Sequence, residues 1–292
     1  MIWQDYKKLY ANALKQYSPK FKKELQNQVN TYCRTLDYSK ISDKAIKKTI
    51  QKLHLAMGVK MAQISSKVIK RSVKGHYEAL ELKSAETDLF AYTILQYLQT
   101  QGLDQLASDI TNTTKEQIRR YLIQSAEQNL TLPESIALLR NAGITDYRAE
   151  LIARTETGRA ANIGSMVGAT STGLVTVKEW IAAKDNRTRR IPRDQFDHLN
   201  MDGTKIPMDA TFKLQNKKGG FDLMLHPCDS SGSAADVCNC RCTLGYEAQR
   251  DKNGKLLKLQ DNPPKGNVGM IWGILTNAVG MQIGNLIADL FE

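Results

Sequence analysis

Apolar residues in the first half of the chain recur at the spacing of helix faces. Between Ser42 and Val73 they fall at Ile46, Ile50, Leu53, Met57, Met61, Ile64, Val68 and Ile69, one stripe of a long amphipathic helix with lysines on its other faces. Leu89, Phe90, Ile94, Tyr97 and Leu98 mark a second helix. Thr113–Glu116 and Thr131–Glu134 both fit Ser/Thr-x-x-Glu, in which the two side chains satisfy the first free amides of a helix, so each predicts a helix start. Pro133 in the first turn strengthens the second. That helix runs through Ile136, Leu138 and Leu139 and is expected to stop at Gly143, where a left-handed residue closes it cheaply. Thr145 or Asp146 then caps a helix carrying Ala149, Ile152, Ala153, Ala160 and Ile163 as far as the Gly168–Gly173 region.

From Leu174 the texture changes. Leu174 to Ile181 is rich in β-branched and aromatic residues and follows Gly173, which predicts a strand. Thr211–Leu214, Phe221–Leu225 and Val237–Tyr246 are further strand candidates, with turns at Asp202-Gly203 and Gly219-Gly220. The fold class expected is α+β: a long helical N-terminal arm, a small mixed α+β module and a C-terminal apolar helix. The expected domains are a basic helical arm over 1–100, the module over 101–250, a linker over 251–265 holding Asn253-Gly254 and Pro263-Pro264, and the apolar helix over 266–292.

Charge sharpens this division. The chain carries +11 overall, yet residues 1–75 hold 17 Lys/Arg against 4 Asp/Glu, and the remaining 217 hold 24 against 26. All the excess lies in the N-terminal region, which suggests a surface facing duplex DNA or an acidic protein, or else a solvated helix face. Candidate DNA contacts are Lys44, Lys47, Lys48, Lys52, Lys60, Lys67, Lys70, Arg71 and Lys74. A second group is Arg187, Arg189 and Arg190, with Arg193 beside them. Lysines predominate and no base-reading motif is present, so backbone attraction without sequence preference is expected.

The most informative stretch is 148–246. It contains, in order, Ile152-Ala153-Arg154-Thr155-Glu156, Lys178-Glu179-Trp180, Asp185-Asn186-Arg187-Thr188-Arg189, His198 before Asp202-Gly203, His226-Pro227, and Asn239-Cys240-Arg241-Cys242. This succession resembles the Mu F-like phage head morphogenesis family. The resemblance implies a minor capsid protein inside the phage head, made in the bacterial host cytoplasm. It implies a place on or near the portal, with portal and other virion proteins as partners, and nonspecific contact with double-stranded DNA during packaging or ejection. Two features depart from the family pattern: His226-Pro227-Cys228-Asp229 stands where a Pro-Gly-Asp run is common, and Cys238 is an addition. Some relatives carry a toxin or nuclease domain after the module. About 50 residues follow Tyr246, so an attached toxin enzyme is not expected.

Five cysteines, with no secretory signal at Met1–Lys8, are expected to start as thiols in a reducing compartment. On a strand, alternation would place Cys238, Cys240 and Cys242 on one face, with Cys228 and His198 in preceding loops. That set is a candidate zinc site; buried thiols and late disulfides are the other readings. His198 is also read as pinning the Asp202-Gly203 turn. Arg154 and Glu156 are expected to anchor their helix to the sheet as a paired, buried set, and Trp180, Asp202 and Gly203 are read as structural positions. No Walker loop, Gly-x-Ser-x-Gly elbow or His-Glu-x-x-His pair occurs, and no catalytic residue is assigned. Gly266–Ala288 is uncharged, and Gly269, Gly273, Gly280 and Gly284 give it small-x3-small spacing. It is expected to dock on a partner protein, with membrane contact or core packing as the other readings. The rival functions are a metal-dependent nucleic-acid hydrolase and a membrane-active ejection protein.

Overall fold

Residues 2–73, 86–143 and 145–278 are described by a computed structural model. Helices α1 (Ile2–Thr35), α2 (Lys44–Ser72), α3 (Glu86–Thr100), α4 (Leu103–Glu127), α5 (Leu132–Asn141) and α6 (Asp146–Thr170) come first. Strands β1 (Thr176–Ile181), β2 (Lys205–Pro207), β3 (Phe212–Gln215) and β4 (Phe221–Met224) follow. The short α7 (Ala234–Val237), β5 (Thr243–Ala248) and α8 (Gly266–Asn277) complete the order. The class is mixed α+β, as expected.

The fold is organised around α6. Every residue from Thr155 to Thr170 on this helix is buried, because α1, α2, α3, β5 and α8 all pack on it. Its approach to α2 depends on small residues four apart on both helices. A Cβ at Gly164 would overlap the backbone of Gly58, and one at Gly168 would overlap that of Ala62. The two backbones therefore meet almost directly, and the small-x3-small device lies in this internal contact. The α2 stripe of Ile46, Ile50, Leu53, Met57 and Met61 shares a core with Tyr6, Tyr10, Tyr17, Phe21 and Leu25 of α1 and with Ala153, Ala160 and Ala161 of α6. The basic region thus does not stand off as an arm; its apolar faces complete the core around α6.

The three-stranded antiparallel sheet has the order β2-β1-β5, with Lys178 opposite Tyr246 and Trp180 opposite Leu244. Alternation along β1 turns Thr176, Lys178 and Trp180 inward and leaves Val177, Glu179 and Ile181 half-buried. β3 and β4 form a separate hairpin.

Several expectations are corrected. Thr113 lies inside α4, which begins at Leu103 after left-handed Gly102; the Thr113 hydroxyl donates to the Asp109 carbonyl rather than capping a start. The Thr131–Glu134 capping box is formed, and α5 ends before Gly143, whose φ is +60°. Residues 237–242 do not form a strand: α7 ends at Val237, and Asn239 has φ +61°, which breaks the cysteine alternation. Residues 251–265 are not a free linker, since Leu256 and Leu259 are buried and Lys258 bridges to Leu174.

The apolar C-terminal helix is seen only as Gly266–Asn277, and its Val268, Ile271 and Leu275 enter the chain's own core beside α3 and α6. The remainder of the expected helix, with Gly280 and Gly284, lies outside the described residues. Among the described residues no helix is long and apolar enough to cross a membrane.

Candidate functional site

α6 presents a buried polar face to the loops that carry the cysteines. Glu156 accepts from Arg159 Nη1 at 2.7 Å and faces His54 Nε2 of α2 at 3.2 Å. Burial alone would raise the Glu156 carboxyl, but Arg159 and His54 outweigh it and hold the group ionised. Burial keeps His54 low, as a neutral imidazole. From the same face, Arg159 Nε donates to the Cys228 carbonyl at 3.0 Å. Asn162 Nδ2 donates to the Pro227 carbonyl at 3.0 Å, and the Asn239 amide donates to the Thr155 hydroxyl at 3.1 Å. Gly158 belongs to this contact, because a Cβ there would press into the Cys228 thiol. The helix thus fixes both the 226–229 loop and the 238–242 loop through backbone groups.

These loops bring together side chains from three places in the sequence. His198 Nδ1 lies 3.4 Å from Cys240 Sγ and 3.6 Å from Cys242 Sγ, and the three ligand atoms all lie within 4.8 Å of one another. His198 Nε2 points the other way, to the buried Asp236 carboxylate at 2.5 Å, whose second oxygen has no hydrogen-bond partner among the described residues. Trp180 meets the imidazole edge-on, with ring centroids 5.4 Å apart. The Cys228 thiol is buried beside the set and donates to the Cys240 carbonyl at 3.4 Å, on a backbone held at φ +65°.

Hydrogen bonds from the Cys228 and Cys242 thiols pull the Cys240 thiol well below its ordinary value, against burial, while the same interactions push Cys228 and Cys242 up. Burial disfavours the charged His198 ring, but Cys240 and Asp236 raise it to about 9. The arrangement is a closed, electron-rich group of soft ligands with one thiolate favoured. His198, Cys240 and Cys242 are therefore the residues positioned to hold a metal.

The five cysteines are free thiols, and Cys238 does not belong with the other ligands. It is half-exposed, and its carbonyl accepts from Arg189. His198 does not pin the Asp202-Gly203 turn. Asp202 does so itself, accepting from the Ala182 amide at 2.9 Å, while Gly203 at φ +79° donates to the Trp180 carbonyl.

Residues 107–245 match the family model described as Phage Mu protein F like protein. The chain carries a Mu F-like module. That family points to a phage head protein, a component of the virion. No curated protein and no solved structure gives a significant match.

The Mu F-like module places the sequence motifs in direct contact. Asp185 and Arg241 form a bidentate ion pair, so the turn motif and the Cys-x-Cys motif hold each other. Arg241 and hydrogen bonds from the turn pull the Asp185 carboxyl down. Lys178 is fully buried on β1 and donates to the Leu225 carbonyl at 2.7 Å; burial lowers its ammonium to about 7.

Arg154 is not part of the buried network. It pairs with Glu150 one turn away, near the surface, and the anchoring partner of Glu156 is Arg159. Of the arginine patch, Arg189 and Arg193 are engaged with carbonyls of the loops, while Arg187 and Arg190 are exposed. Sequence reading missed His54, Arg159, Asn162 and Asp236. The i, i+3 spacing of Glu156 and Arg159 was the one local signal available.

The candidate DNA contacts fall mostly on one helix. Lys44, Lys48, Lys52, Lys60, Lys67 and Arg71 of α2 are exposed, whereas Lys47 pairs with Asp104 and Lys70 with Glu86. Lys74 lies outside the described residues. A groove of about 740 Å³ between α4, α6 and the 230–238 loop is walled by Leu103, Ile110, Ile152 and Val237. Arg148 beside it is occupied by Thr114 and the Ile110 carbonyl.

Proposed function

We propose that the chain is a minor head protein of the phage particle, placed at or near the portal inside the capsid, where its lysine-rich helices face packaged DNA. The observation that carries the reading is the Mu F-like module over residues 107–245. The thiol and imidazole groups are buried behind α6 and the sheet, which suits a part that holds a shape rather than one that admits a substrate. The exposed lysines on α2 supply backbone attraction to a polyanion, and attraction of that kind releases condensed counterions.

The test is duplex DNA binding by the full chain across a salt series, with a variant in which Lys48, Lys52, Lys60 and Lys67 are replaced by Glu. The wild type binds unrelated duplexes equally, with a steep fall in affinity as salt rises. The variant has a shallower slope by about one unit per phosphate contact removed. Equal slopes for the two proteins show that this face meets protein instead. Co-purification with the portal protein tests the placement, and its absence from both portal and procapsid rejects it.

A further inference from the structure

Zinc held by sulfur and nitrogen in a tetrahedron, at about 2.3 and 2.0–2.1 Å, separates neighbouring sulfur and nitrogen ligands by about 3.6 Å. The Cys240 and Cys242 thiols stand at that spacing, 3.4 and 3.6 Å from His198 Nδ1. The other ring nitrogen of His198 is bound to a buried carboxylate, the arrangement that fixes the tautomer of a metal-ligating imidazole and raises its basicity. With Nε2 committed to Asp236, Nδ1 is the ring nitrogen that faces the cysteine side. Cys228 is the next thiol. It is buried against Cys240, on a loop that α6 holds through the Cys228 carbonyl.

We propose that His198, Cys240 and Cys242 bind one zinc ion, with Cys228 moving in as the fourth ligand and Asp236 orienting the imidazole. The ligand set is three thiolates and one imidazole, all buried, which selects zinc over harder divalent ions and leaves no open coordination position. Three separate segments are joined by the ion: the loop after the Asp185–Arg189 turn, the 226–229 loop and the entry to β5. Binding releases the thiol protons, so the site tightens as pH rises. The inference concerns the folding of the module and does not depend on where the chain sits in a particle.

The experiment uses the full chain, purified in reducing buffer without chelator. Elemental analysis is expected to find one zinc per chain, and cobalt(II) exchanged into the site is expected to give tetrahedral d–d bands with thiolate-to-cobalt charge transfer. Cys238→Ser keeps both signals. Asp236→Asn keeps the tetrahedral spectrum while weakening metal affinity by about 10–100-fold, as an orienting partner does. Cys228→Ser changes the cobalt spectrum and weakens binding. The proposal is overturned if folded wild-type protein carries no stoichiometric zinc and takes up no cobalt, or if Cys238→Ser abolishes binding. An unchanged spectrum in Cys228→Ser overturns the closed four-ligand site.

Discussion

Replacing Lys178 by Met converts a buried ionisable group into an apolar one of similar length, and the structure gives the size and sign of the effect. Lys178 loses its proton near pH 7 in the folded chain and near its ordinary value of 10.5 when unfolded. Between those values the unfolded chain binds more protons, so stability rises with pH; below about 7 the whole cost of burying the ammonium remains. The interval from about 7 to 10.5, at 1.36 kcal/mol per pH unit, corresponds to a cost of about 5 kcal/mol. Methionine removes that cost but leaves the Leu225 carbonyl without its donor, a loss of about 1–3 kcal/mol.

Lys178→Met is therefore expected to be more stable than wild type near neutral pH, by about 2–4 kcal/mol. The advantage shrinks through the window and reverses by about pH 10, where the remaining burial cost has fallen below the loss of the Leu225 hydrogen bond. Urea unfolding of both proteins across the window checks this, because every other titrating group is shared and cancels in the difference. A constant difference between the two curves refutes the account of Lys178 as a buried, nearly neutral amine.

The other expectations follow from packing and pairing. Gly164→Ala forces α2 and α6 apart and is expected to cost about 1–3 kcal/mol or more in chemical denaturation. Gly273→Ala, whose Cβ meets nothing within 4 Å among the described residues, is expected to gain up to about 1 kcal/mol, and equal effects at the two positions contradict the close-approach argument. Glu156→Ala strands Arg159 in the interior and is expected to lower stability by about 3–5 kcal/mol, with the Glu156→Leu/Arg159→Met double variant recovering most of the loss. A full loss that persists in the double variant shows that the polar face is needed for more than charge pairing.

The parts of the fold that were legible are those where one segment decides its own structure. The α2 stripe and the alternation of β1 follow from local periodicity, and the Thr131 box follows from two side chains three residues apart. The Thr113 pattern misled because a threonine within a helix satisfies itself on the carbonyl one turn back. The α1 stripe mixes Tyr6, Tyr10, Tyr17 and Tyr32 with aliphatic and polar residues, which blurs its apolar periodicity in the sequence. The contact of Gly58 and Ala62 with Gly164 and Gly168 joins two helices far apart in sequence, so neither pattern identifies its partner.

At the site, the residue types were readable but their grouping was not. Left-handed Asn239 rotates Cys238 away from Cys240 and Cys242, a backbone detail that an alternating pattern conceals. Asp236 and His54 carry no motif, and their roles arise only when loops and helices close on them. Arg159 replaces Arg154 because it faces the loops while Arg154 faces Glu150 and solvent.

The proposed function depends on the chain being a component of the phage particle. Quantitative mass spectrometry of gradient-purified virions of the encoding phage tests it directly, with the portal protein as the internal standard. The account predicts that the chain is present in few copies per particle and remains after external proteins are stripped by protease. Its absence from both virions and DNA-free procapsids, while it is abundant in infected-cell lysate, contradicts the account.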